Sequence, residues 1–129
     1  MEYIECRASD TVEIGSRIRL TVMQRLYNTV TLAVVVPAAS TLRFHHDGLR
    51  REPCEDGRMR YLLPLVTGDC FQLDDVRICV GLYLDRQEIA DNDGCDVQLQ
   101  VSSTDRTPAI RRLSAWTPLT AERRESCSP

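Results

Sequence analysis

The chain has 129 residues, 43% of them hydrophobic and 27% charged, with a formal net charge of −3. That length bounds the fold at one compact unit or two very small ones sharing a core, and the composition excludes collagen-like and low-complexity structure. The slight negative charge argues against adhesion to nucleic acid through an overall positive field but leaves room for a local basic edge; all 16 basic residues are arginine, which suits phosphates and base edges and equally reflects genomic base composition.

The first seven residues, MEYIECR, are extended in character and carry acids where a secretory signal needs basic residues and an apolar stretch, so a cytoplasmic protein is expected. In that reducing compartment the cysteines at positions 6, 54, 70, 79, 95 and 127 read as free thiols, with Cys70 and Cys79 acting as small hydrophobes inside strands. A polar turn follows at Ala8-Ser9-Asp10. Val12 and Ile14 then alternate with Thr11 and Glu13, and beyond Gly15-Ser16 the residues Ile18, Leu20 and Val22 alternate with Arg17, Arg19 and Thr21, the period of half-buried strands. Asn28-Thr29 marks the next turn, Val30, Leu32 and Val34 continue the alternation, Pro37 ends that strand or opens the next, and residues 41–44 form one more short strand. The longest apolar run, residues 32–39, is far shorter than the roughly 20 residues that span a bilayer, so no membrane span is expected.

Residues 47–59 hold two Asp-Gly pairs, a proline and clustered charge, the composition of a linker. His45, His46 and Cys54 lack the companions of a zinc site, and neither a metal nor another cofactor is expected. The pattern then begins again. Tyr61, Leu63 and Leu65 open it; Thr67-Gly68-Asp69 is a turn; Phe71 and Leu73 take the places of Val12 and Ile14; Asp74-Asp75 shortens the corner by one residue; Val76, Ile78 and Val80 take the places of Ile18, Leu20 and Val22. A polar excursion at residues 85–95 replaces the turn at Asn28, and Val97, Leu99 and Val101 follow, then residues 109–111. Five strands in one order, twice, predict an all-β protein of two five-stranded repeats, residues 1–46 and 60–113, in one compact domain. Residues 114–129 form a C-terminal tail with room for a short helix around residues 120–124.

Asp10-Thr11, Ile14-Gly15, Ile18 through Val22, Asn28, the Val30, Leu32 and Val34 alternation and Pro37 resemble, without a gap, the carbon storage regulator (CsrA/RsmA) family of small bacterial RNA-binding proteins. The second repeat is similar through Gly68-Asp69, Leu73 to Val76, Val97 to Val101 and Arg111. Members of that family are about half this length and form intertwined homodimers that bind GGA-containing loops of mRNA or small RNA where first and last strands of opposite subunits meet. The resemblance implies a monomeric chain that imitates the dimer, an intertwined β-sandwich or barrel, with residues 47–59 joining the halves. Carried over by position, one RNA site combines Ile4, Cys6 and Arg7 with Ala109, Ile110 and Arg111. A degenerate second site combines Leu63 and Leu65 with Leu42, Arg43 and Phe44; the key arginine falls on Arg111 in one repeat and on Phe44 in the other.

Two function classes follow. One is an RNA-binding post-transcriptional (translational) regulator with one degenerate RNA site, neither site keeping the family's full residue set. The other is a protein-interaction or scaffold module that kept the fold and lost RNA, with Phe44, the apolar strand at Leu63 and Leu65 and the acidic residues 91–96 marking a partner surface. No Gly-rich phosphate loop or nucleophile motif is present, so an enzyme is not expected.

Overall fold

The computed structural model describes residues 2–45, 49–104 and 108–113. They form strands β1 (Glu2–Cys6), β2 (Thr11–Ile14), β3 (Ile18–Leu26), β4 (Thr29–Pro37), β5 (Leu42–Arg43), β6 (Arg50–Pro53), β7 (Arg58–Leu65), β8 (Cys70–Leu73) and β9 (Val76–Leu82). Helix α1 (Arg86–Asp91) and strands β10 (Val97–Ser103) and β11 (Ile110–Arg112) complete them. The expected tail helix and His46 lie outside the described residues. No helix among the described residues is long and apolar enough to cross a membrane.

The apolar positions of the two alternating patterns all face inward. Val12, Ile14, Ile18, Leu20, Val22, Val30, Leu32 and Val34 are buried, and so are Phe71, Leu73, Val76, Ile78, Val80, Val97, Leu99 and Val101. They build one core between two antiparallel sheets, ordered β1-β10-β9-β8-β5 and β11-β2-β3-β4-β7-β6. Both sheets keep open edges, so the strands form a sandwich and close no barrel.

The outer strands are exchanged between the sheets. β8, β9 and β10 are flanked by β1 and β5 from the first part of the chain, while β2, β3 and β4 are flanked by β11 and β7 from the second. The registers correspond: Ile4 lies opposite Leu99 and Cys6 opposite Val97, as Leu63 lies opposite Leu32 and Leu65 opposite Val30. So do the turns. Arg7 N–H donates to Asp10 Oδ2 (2.9 Å) and Asp10 N–H to the Arg7 carbonyl (3.1 Å); Val66 and Asp69 make the same pair of bonds at 2.9 and 3.0 Å. At the following corner the left-handed residue is Gly15 (φ 63°) in one case and Asp74 (φ 56°) in the other, Asp being among the few other residues that tolerate that conformation.

Two expectations are corrected, and the excursion at residues 85–95, for which the sequence set no structure, is found to hold a helix. Residues 50–53 of the expected linker are a strand, because the Asp56-Gly57 pair makes a hairpin: Cys54 N–H donates to the Arg58 carbonyl (2.8 Å), and the Arg60–Glu52 ion pair (2.7 Å) spans β6 and β7. The excursion at residues 85–95 contains α1, begun by Asp85, whose carboxylate accepts from Gln87 N–H at 2.6 Å. Cys70 and Cys79 are disulfide-bonded rather than free, since the β8–β9 register sets them directly opposite each other; Cys6, Cys54 and Cys95 are free thiols.

Leu63 has no exposed surface, whereas Leu26 is 60% exposed. Leu63→Ala is expected to lower the unfolding free energy by about 2–5 kcal/mol in urea titrations, and Leu26→Ala by less than about 0.5 kcal/mol.

Candidate nucleic-acid interface

β1 and β11 are edge strands of different sheets, and Arg112 joins them. Its Nη1 donates to Asp10 Oδ2 at 2.8 Å and its Nη2 to the Glu5 carbonyl at 2.6 Å. The Asp10 side chain is wholly buried, held in the β1–β2 turn, so this ion pair is sheltered on its acidic side. Leu113 N–H donates to the Thr11 carbonyl (2.7 Å) and extends the pinning of the last strand past its end.

Alternation along β11 decides what its residues present. Ile110 packs against the core, and the Ala109 carbonyl accepts from Gly15 N–H at 2.8 Å. Arg111 turns outward, 69% exposed, onto the Glu13 carboxylate, which also faces Arg19 at 4.0 Å. On β1, Ile4 packs against the core and Cys6 is fully inside it. Burial pushes the Cys6 thiol up to about 12, with Arg112 opposing and the Asp10 carboxylate adding to the rise. Arg7 reaches across to the Asp93 carbonyl (3.1 Å) just beyond α1.

Of the six residues placed at this junction from sequence, Arg7, Ala109 and Arg111 present groups at or near the surface, Ile4 and Ile110 support them from the core side, and Cys6 is withdrawn. The register moves one assignment. Leu42 lies opposite Leu73 as Ile110 lies opposite Ile14, so Arg43 corresponds to Arg111, and Phe44 to Arg112. By register, the residue of β11 that takes the position of Phe44 is Arg112. Counting from the inward residue Ile110, rather than from the first arginine, is the signal that finds it.

The other junction is built differently. Leu63 and Leu65 have no exposed surface, and the outer edge of β7 is already hydrogen-bonded to β6. The degenerate site therefore has no open β7 edge. Leu42 and Phe44 pack against the core together with Leu49 and Tyr61, while Arg43 is exposed beside Gln72. His45 Nε2 sits 3.1 Å from Asp69 Oδ1, so Asp69 meets His45 where Asp10 meets Arg112.

Arg25 carries no signal in the sequence that sets it apart, because it lies inside strand β3. Its guanidinium donates to the carbonyls of Leu26, Tyr27, Tyr83 and Asp96 at 2.8–3.0 Å and pairs with the Asp96 carboxylate at 3.3 Å. It ties the β3–β4 turn to both ends of the 85–95 excursion. Beside it, the Tyr83 hydroxyl donates to Glu5 Oε1 (3.2 Å), and burial followed by the Glu5 charge raises the phenol above its ordinary range.

No protein-family model, no curated protein and no solved structure matches this chain.

Arg112→Ala leaves the buried Asp10 carboxylate without its cation and is expected to cost about 2 kcal/mol in urea titrations, whereas Arg111→Ala, at an exposed pair, costs less than about 1 kcal/mol. The Cys6 thiol rises on folding from 9.0 to about 12, so the folded state holds that proton more tightly than the unfolded one. Its contribution is complete below pH 9 and is lost as the pH climbs towards 12; the urea midpoint of the wild type is expected to fall more steeply across that window than that of Cys6→Ala.

Proposed function

We propose that the protein is an RNA-binding translational regulator of the carbon storage regulator type, a single chain that imitates the family's intertwined dimer and binds a GGA-containing RNA loop at the β1–β11 junction. The observation that carries this reading is the position of Arg112, an arginine at the end of the last strand seated on the backbone of the first strand from the other half of the chain. The exchange of β1 and β5 for β7 and β11 is the arrangement in which first and last strands of opposite repeats become neighbours. Unpaired loop bases offer hydrogen-bonding edges that duplex RNA conceals, and two adjacent strand edges offer free backbone groups to meet them.

The same geometry accounts for a single site. RNA at the β1–β11 junction competes with Asp10 for Arg112 and with Glu13 for Arg111, whereas at the other junction β6 occupies the β7 edge and Phe44 takes the arginine's place. A homodimer carries every substitution twice; one chain with two halves lets the two junctions diverge. Because the halves are covalently joined, the assembly does not depend on protein concentration.

A specific observation favours a second reading, a protein-interaction module. Both junction arginines already have carboxylate partners, and the end of the sandwich gathered by Arg25 exposes Leu26, Tyr27 and Leu84. Exposed apolar groups of this kind serve contact with protein better than contact with RNA.

Gel shifts with a GGA-loop hairpin and a scrambled-loop control separate the two. The RNA reading expects a specific complex with wild type, weakened at least about tenfold by Arg112→Ala and modestly, for both RNAs alike, by Arg111→Ala. Equal weak shifts of both hairpins by the wild type would overturn it and favour the second reading.

A further inference from the structure

The outer faces of the two sheets carry the same row of residues with one difference. In one sheet Arg111, Glu13 and Arg19 stand side by side on β11, β2 and β3; in the other Arg43, Gln72 and Arg77 stand side by side on β5, β8 and β9. Glu13 puts a carboxylate between its two arginines, hydrogen-bonded to Arg111 and 4.0 Å from Arg19. Gln72 brings no charge, and its amide is drawn aside to donate to the Asp74 carbonyl at 2.9 Å. Among the described residues Arg43 and Arg77 make no ion pair.

The nearby acids are engaged elsewhere. Asp69 accepts from Val66 N–H and meets His45; Asp74 accepts from Thr41 N–H and faces Arg17 at 3.9 Å; Asp75 accepts from Ser103 at 3.1 Å. Two positive charges thus stand about 10 Å apart at their backbones, two strand spacings, with open space between them where the other sheet holds a carboxylate. A cleft of about 310 Å³ lies there, bounded by Arg43, Gln72 and Arg77, with His45 and Cys70 at its side.

We infer that Arg43, Gln72 and Arg77 form a binding site for the phosphate group of a phosphate ester. A phosphate placed over Gln72 takes the position that the Glu13 carboxylate occupies in the other sheet and accepts charge-assisted N–H bonds from a guanidinium on each side. The site does not rest on the RNA reading, because β5 and β1 are opposite edges of their sheet.

The test follows the arginine Nε–Hε resonances by NMR during titration with inorganic phosphate, uridine 5′-monophosphate and a short uridine oligonucleotide. Saturable shifts are expected at Arg43 and Arg77 and not at Arg19 and Arg111, where the carboxylate already stands. Gln72→Glu recreates the other sheet's row and is expected to weaken binding at least about tenfold with the circular dichroism spectrum unchanged. Arg43→Ala, at an exposed position of a two-residue edge strand, gives the same loss without introducing an acid. Tighter, strongly salt-dependent binding of the oligonucleotide supports the site as one for a polymer backbone, and equal binding of the monophosphate supports it as one for a free ester. Shifts that do not saturate, equal shifts at Arg19 and Arg111, or unchanged affinity in Gln72→Glu would overturn the proposal.

Discussion

β1 and β7 each hydrogen-bond to a strand distant in sequence, β10 and β4, and so place Ile4 and Cys6 in the same core as Leu63 and Leu65. Without this exchange each half of the chain would be a three-stranded sheet with a bare apolar face. A piece of about 60 residues buries only about 60% of its unfolded surface, which leaves it marginal. Sharing the outer strands commits both halves to one core, and it brings the β1–β11 junction into existence at the same time. Fold and candidate site therefore have one cause.

The exchange creates edges, and each edge is finished in its own way. At β11, Arg112 reaches over to the Glu5 carbonyl and the buried Asp10. At β7, a whole strand is added: β6 covers the backbone groups, with Phe44, Leu49 and Tyr61 packed against the core nearby. An unpaired strand edge invites association with other chains, and β6 takes over that edge position, leaving the β7 backbone groups with no open side. The surviving asymmetry is chemical as well as geometric, since Glu13 sets one carboxylate between two arginines in one sheet and Gln72 sets a neutral amide between two in the other.

Much of the strand order was legible. Period-two alternation identified the inward residues of β2, β3, β4, β8, β9 and β10, and the Asp10 and Asp69 turns were marked by their polar clusters. Where residues carry two meanings, local sequence does not decide between them. Asp56-Gly57 serves as well in a tight hairpin as in a linker, and a cysteine inside a strand looks the same whether or not a second one lies opposite. Arg111 and Arg112 are adjacent and identical in type, so only the register of β11 on β2 distinguishes the one that points outward from the one that reaches β1.

By itself the sequence determined which side of each strand is apolar and where the chain turns, because both depend on residues only a few positions apart. Tertiary structure decided which strands become partners, that Cys70 meets Cys79, that β6 takes the β7 edge, and that Arg112 rather than Arg111 closes the first junction. Those outcomes depend on register between segments far apart in sequence, where a slip of one residue turns every side chain to the other face. Local alternation carries no record of it.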